Sequence, residues 1–187
     1  DLAANKIIVE GLKNLPGSFP ILSEEIKDDL SRLNHDTIWI IDPLDGTKEF
    51  LEGREEFTVN IALVKNNTPV IGVVIAPASG VIYFSEKNVG SFKSIVNFDF
   101  LKLDNILSKA KTLPIYNKFE TFIVLVSRSH LSKETKAYLE NLKAKHGELK
   151  LISKGSSLKL CMMAEGRANC YPRFAPTMEW DTAAGQA

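Results

Sequence analysis

Two aspartates three positions apart, Asp42 and Asp45, stand in the segment Trp39-Ile40-Ile41-Asp42-Pro43-Leu44-Asp45-Gly46-Thr47-Lys48-Glu49-Phe50. Chance alone supplies about three acid-x-x-acid pairs in a chain of this composition, so the spacing by itself says little. The surroundings say more. Thr37 to Ile41 is rich in β-branched and aromatic residues and predicts a buried strand, stopped at Asp42-Pro43. Pro43 bars a simple continuation and Gly46 permits a tight turn, so both carboxylates face one small volume. Carboxylates held that close repel, and either one takes a proton or a cation lies between them. An all-oxygen donor set without a neighbouring His or Cys favours Mg²⁺ over zinc. If Gly46 and Thr47 open a helical turn, their N–H groups point at an anion such as phosphate. The competing reading is a plain surface turn, because Asp, Pro and Gly are ordinary turn residues.

Two other chemistries fail on spacing. Haloacid dehalogenase-type phosphatases place one residue between their aspartates, whereas Pro43 and Leu44 both intervene here. A calcium-binding EF-hand loop needs acids at alternating positions and a Glu at position 12, which this stretch lacks.

The elements that must hold the acids follow from periodicity. Leu2, Ile8, Leu12 and Leu15 have helical spacing, ended by Pro16-Gly17. Phe19 to Leu22 leads into Ser23-Glu24-Glu25 as the end of a strand. Phe57 to Val64, Val70 to Ala76 and Val81 to Phe84 read as a strand meander, and Asn88 to Phe119 shows no clear pattern. Thr121 to Ser127 and Leu149 to Ile152 are strands. Between them Ser132 caps a helix with Leu131, Tyr138, Leu139 and Leu142 facing inward. Ser157 to Glu165 is a helix, Ala168 to Tyr171 a strand, and a last helix opens near Trp180-Asp181. This succession predicts a layered α/β (α+β) fold of helix and sheet layers. An N-terminal lobe over residues 1–113 carries most of the acids, and a C-terminal α/β lobe covers 114–187, with the site between them.

The 23 basic and 23 acidic residues cancel, and no Lys/Arg run suggests a nucleic-acid partner. Hydrophobic residues at 44% exclude a disordered chain. The longest apolar run, Val70 to Ala78, is too short for a transmembrane segment. Cys161 and Cys170 are too few for a disulfide framework and read as reduced thiols of a cytoplasmic protein.

Asp42-Pro-Leu-Asp-Gly-Thr47, preceded by Ser23-Glu24-Glu25 and followed by Trp180-Asp181-Thr-Ala-Ala-Gly185, resembles the inositol monophosphatase superfamily of Mg²⁺-dependent, Li⁺-sensitive phosphatases. Lys48-Glu49-Phe50, Phe57 to Leu63, Val126-Ser-Arg-Ser-His130, Gly155-Ser-Ser-Leu-Lys159 and Tyr171-Pro-Arg-Phe174 are similar to its 3′(2′),5′-bisphosphate nucleotidase branch. The resemblance implies a sugar-phosphatase-like fold and two or three Mg²⁺ ions. Glu24, Asp42 and the carbonyl of Leu44 would hold one ion. Asp42 would bridge to a second, shared with Asp45 and Asp181. Asp1, paired with Thr47, would activate the attacking water. Around the phosphate the implied substrate contacts are Glu24, Leu44, Asp45, Gly46, Thr47 and Asp181. Toward the nucleotide they are His130, Gly155, Ser156, Lys159 and Arg173.

For several of these a structural reading stands beside the functional one. Arg173 is a bidentate phosphate contact or a surface arginine, His130 a nucleotide contact or a helix-start residue, and Lys159 a nucleotide contact or a solvated lysine. One of Glu24 and Glu25 must point away from the site. Trp39 is expected buried beside the site, Trp180 over the metal pocket or in the core. The implied activity is hydrolysis of adenosine 3′(2′),5′-bisphosphate, a small phosphorylated nucleotide, to AMP and phosphate, in sulfur assimilation. The expected location is the cytoplasm, with the periphery of the inner membrane as the alternative. An inositol monophosphatase and a non-catalytic Mg²⁺/nucleotide-binding relative are the rival readings. The chain opens on Asp1 and closes at Ala187 inside an expected helix, so truncation at both ends is expected. Nothing in the residues sets the oligomeric state.

Overall fold

Strands with apolar residues on both faces need cover on both sides. The computed structural model describes residues 1–116, 118–128 and 132–187. Helix α1 (Leu2–Lys13) leads through β1 (Ile21–Ser23) to β2 (Thr37–Asp45) and the short helix α2 (Thr47–Leu51). Then come β3 (Thr58–Lys65), β4 (Thr68–Ala76), β5 (Val81–Glu86), β6 (Gly90–Ile95), helix α3 (Leu103–Ser108) and β7 (Lys111–Thr112). The remainder alternates as β8 (Phe122–Ser127), α4 (Lys133–His146), β9 (Leu149–Lys154), α5 (Leu158–Ala164) and α6 (Glu179–Gln186).

Strands β1 to β7 form one sheet in sequence order, with β1 and β2 parallel and every later pair antiparallel. Strands β8 and β9 form a separate parallel pair. Along β2, Trp39 and Ile41 point to one face, where Leu12 of α1 covers them. Ile40 points to the other and packs with Ala62, Val74, Cys161, Ala183 and Ala184 beneath α5 and α6. Ile41 is fully buried, and burying such a side chain contributes about 1.5–3 kcal/mol. The pleat that sends Ile40 toward α5 and α6 sends Asp42 the same way. A third cluster, Val124, Val126 and Leu142, joins β8 to α4.

Several expectations need correction. Strand β2 is not stopped at Asp42-Pro43; it continues to Asp45 with a register shift between Asp42 and Asp45. Pro43 is accommodated there because a bulge does not require its missing N–H. The region read as patternless holds β6, α3 and β7. Ala168 to Tyr171 is not a strand but a single bridge, Cys170 to Val124. Of the four residues read as the inner face of α1, Ile8 and Leu12 pack inward, joined by Val9, while Leu2 and Leu15 are exposed and the helix ends before Leu15. Tyr138 of α4 is exposed, its ring against Phe174. Ser132 does cap α4, accepting the Thr135 N–H at 3.2 Å. Leu131 lies outside the described residues. Trp39 is buried, but on the face opposite Asp42, and Trp180 packs against the core beneath α6.

Candidate active site

The bulge in β2 builds the acidic centre. It turns the Leu44 N–H back onto Asp42 Oδ1 at 3.0 Å, and the Leu44 carbonyl accepts the Thr47 hydroxyl at 3.1 Å. Gly46 supplies the turn into α2 with φ of +91°; a Cβ there would meet the Glu56 carbonyl at 2.9 Å. Asp45 leaves the same bulge and accepts the backbone N–H of Ser157, at the start of α5, and the Thr58 hydroxyl at 3.4 Å. The Ser157 hydroxyl in turn donates to Asn60 Oδ1 at 2.8 Å. Asp181, in the first turn of α6, accepts from the Met178 N–H at 3.1 Å, from the Thr177 hydroxyl and from Arg173 at 3.4 Å. An acid there closes the helix N-terminus and complements its positive dipole end.

Carboxylate oxygens of Asp42, Asp45 and Asp181 lie within 4.8 Å of one another. Burial pushes the Asp42 carboxyl up to about 9, and the charges of Asp45 and Glu24 add to the effect. Burial also raises Asp45, against the Ser157 N–H that holds it down. Glu24 is raised by burial, is close enough to hydrogen-bond Asp42, and is the member of its acidic pair that faces the cluster. Several carboxylates gathered with only one chain cation at their edge, Arg173 on Asp181, are what a hard divalent cation with oxygen ligands requires, so the residues fit a metal ion. The alternative of a plain surface turn does not describe this segment, because Asp42 is buried.

The acids form one end of a cleft of about 430 Å³ whose other walls carry Arg128, Lys154, Lys159 and Arg173. Lys159 is not solvated. It is 3% exposed, its Nζ donates to the carbonyls of Lys154 at 3.0 Å and Ser156 at 2.7 Å, and it stands 5.6 Å over the Tyr171 ring. Burial lowers it to about 8, with the Arg173 charge acting the same way and Asp45 opposing. Arg173 is tied to the Tyr171 hydroxyl and Asp181. Gly155, Ser156 and Gly46 also line the cleft. His130 lies outside the described residues. Asp1 is exposed, and among the described residues no hydrogen bond joins it to Thr47. Its helix nevertheless starts beside the acids, because the Ser23 hydroxyl donates to Asn5 Oδ1 at 2.7 Å.

Sequence reading passed over Glu56, whose carboxylate accepts Arg128 at 2.8 and 2.9 Å, Lys154 at 3.1 Å and the Gly155 N–H at 2.9 Å. It thereby fastens the loop before β3 to the ends of β8 and β9. No local pattern marks such a residue, since its partners lie 72 to 99 positions away.

Residues 1–187 match the model of the inositol monophosphatase family. The chain belongs to this family. Among curated members, the 3′(2′),5′-bisphosphate nucleotidase CysQ of Shigella flexneri is 42% identical over all of this chain and 70% of its own length. The CysQ of Escherichia coli K12 is 40% identical over the same shares. A crystal structure of CysQ from Bacteroides thetaiotaomicron superposes with a TM-score of 0.88 at 48% identity, covering 97% of this chain and 68% of that one. The family's mixed α/β architecture, a central sheet with helices, is the architecture described above.

Proposed function

We propose that the chain is a 3′(2′),5′-bisphosphate nucleotidase that hydrolyses adenosine 3′,5′-bisphosphate to AMP and phosphate with Mg²⁺. The observation that carries the substrate class is the 40–42% identity, over the whole chain, to nucleotidases of this specificity. The cleft is consistent with it: an acidic end suited to cations adjoins a wall of lysines and arginines suited to a second phosphate.

Asp42, Asp45 and Asp181 would hold Mg²⁺, with Glu24 beside Asp42 and the Leu44 carbonyl at the same bulge. Bound there, Mg²⁺ supplies positive charge that lowers the pKa of water and offsets the charge of phosphate oxygens. The N-terminal turn of α2, from Gly46, receives the scissile phosphate on backbone N–H groups. Thr47, held on the Leu44 carbonyl, and Asp1, one helical turn from the Asn5–Ser23 contact, are assigned the proton of the attacking water. Lys159, Arg173, Gly155, Ser156 and His130 are assigned to the nucleotide. Among the described residues no helix is long and apolar enough to cross a membrane.

Phosphate release from adenosine 3′,5′-bisphosphate and from inositol 1-phosphate, measured side by side with Mg²⁺, tests the substrate. Faster turnover of the inositol ester overturns it. The metal assignment has a separate readout: Mg²⁺ raises the thermal midpoint of the wild-type protein, by about 2.7 kcal/mol of stability at a hundredfold excess over Kd. No rise in the midpoint at millimolar Mg²⁺ removes the assignment.

A further inference from the structure

Three acids line the cleft. Asp45 and Asp181 belong to the cluster that fits a cation, and Glu49 does not. Glu49 is nonetheless 9% exposed, and among the described residues its carboxylate receives no hydrogen bond and joins no ion pair. Its oxygens open onto the cleft rather than being sealed in the core, so a donor arriving with a ligand can meet them.

The position of the side chain is set by packing. Gly46 and Glu49 are three residues apart and share the face of α2 that meets the 155–156 turn. A Cβ on Gly46 would lie 3.3 Å from Ser156 Cβ, and a Cβ on Gly155 would lie 3.0 Å from Glu49 Cγ and 3.1 Å from its Cδ. The Glu49 stem therefore rests on the backbone of Gly155, with its carboxylate on the cleft wall.

A carboxylate only accepts hydrogen bonds when ionised, and it repels phosphate. Its partner must be a hydroxyl or N–H of the part of the ligand that carries no phosphate. The scissile phosphate is assigned to the turn at Gly46, and Glu49 is one helical turn further along the same face. That places it against the atoms next to the phosphoester. In a nucleoside 3′-phosphate, the neighbouring sugar carbon bears the free 2′-hydroxyl. Resting on the nucleotide reading above, we infer that Glu49 accepts a hydrogen bond from this sugar hydroxyl and makes the enzyme selective for ribonucleotides over deoxyribonucleotides.

The test compares kcat/KM for adenosine 3′,5′-bisphosphate and 2′-deoxyadenosine 3′,5′-bisphosphate in the wild type, Glu49→Gln and Glu49→Ala, all with Mg²⁺. The wild type is expected to favour the ribonucleotide by roughly tenfold or more, the size of a hydrogen bond to a charged group. Glu49→Ala, which removes the acceptor, is expected to shrink that preference to within about threefold, and Glu49→Gln, which keeps a neutral acceptor, to an intermediate value, both through loss on the ribonucleotide alone. A variant that slows both substrates equally, leaving the ratio unchanged, shows a structural role and overturns the inference. So does a wild type without the preference, or variants that change only the choice between adenine and hypoxanthine. Turnover of neither nucleotide by the wild type overturns the nucleotide reading itself, and this assignment with it.

Discussion

Two buried acidic centres lie on the α5–α6 side of the large sheet, and they are built in opposite ways. Glu165, at the end of α5, is 1% exposed and is met by chain groups: the Tyr83 hydroxyl, Lys93 Nζ at 2.7 Å and the Arg167 guanidinium. Tyr83 and Lys93 come from β5 and β6, so this charge joins the sheet to the helix packed on it. Asp42, equally buried, is met by Asp45, Asp181 and Glu24, and among the described residues the one chain cation paired with this group, Arg173, reaches only Asp181, at 3.4 Å. The Glu165 centre compensates its charge internally, as a structural ion pair must. The Asp42 centre stores like charges together and leaves compensation to something that binds. Where the counter-charge comes from therefore separates a structural acid from a functional one, although both are hidden from solvent.

The difference can be broken at either end. The largest effect is expected for Asp45→Asn, which removes a proposed metal ligand without changing volume. Turnover should fall by on the order of 10³-fold or more, and Mg²⁺ should no longer raise the melting temperature. The metal-free variant should melt at or above the wild-type temperature, because one repelling charge is gone. Retention of a tenth of the wild-type rate would contradict the assignment of Asp45. Glu165→Gln should do the reverse. Loss of a charged acceptor from a buried group costs about 1–3 kcal/mol, which lowers the melting temperature by roughly 3–10 °C. The kcat at 25 °C should stay within about twofold. A large loss of kcat with an unchanged melting temperature would erase the distinction between the two centres.

The smallest effect concerns Lys159, a buried cation on the cleft wall. Its ammonium is lowered from the ordinary lysine range to about 8, by burial first. Below pH 8 it carries its charge and can meet a phosphate; above pH 8 it is neutral in the free enzyme. The kcat/KM for the bisphosphate should therefore decline as pH rises through about 8, by up to roughly tenfold per unit. Lys159→Met should start lower and lack this limb. A wild-type profile that is flat to pH 10 would remove Lys159 from substrate binding.

The chemistry of the site was more legible in the sequence than the scaffold around it. Asp42 and Asp45 announced themselves because a β-branched run, a proline and a glycine surround them within a few residues. The same local signals made α4 and the β3–β5 meander readable. Strand β6 was missed because Gly90-Ser-Phe-Lys-Ser-Ile95 is short and only half-buried, so its alternation carries little apolar contrast. The run of β2 through Pro43 was missed because a bulge is decided by the partner strand, not by the proline. Glu56, Ser157 and Asn60 could not be found locally, since their hydrogen bonds span about a hundred positions. Lys159 reads as an ordinary helix lysine until the Lys154 and Ser156 carbonyls are seen to enclose it.

The order of strands in the large sheet carries a consequence for how activity arises as the chain folds. Each strand pairs with its neighbour in sequence, so the sheet can grow by short loop closures. Asp42 and Asp181 are 139 positions apart and meet only when α6 docks on the sheet. The scaffold can therefore be nearly complete while the site is still open. Assembly of the acidic cluster belongs to this long-range closure, and Trp180, packed beside Asp181 on the core, is placed to report it by fluorescence. Burial of Trp180 before the sheet forms would show the opposite order.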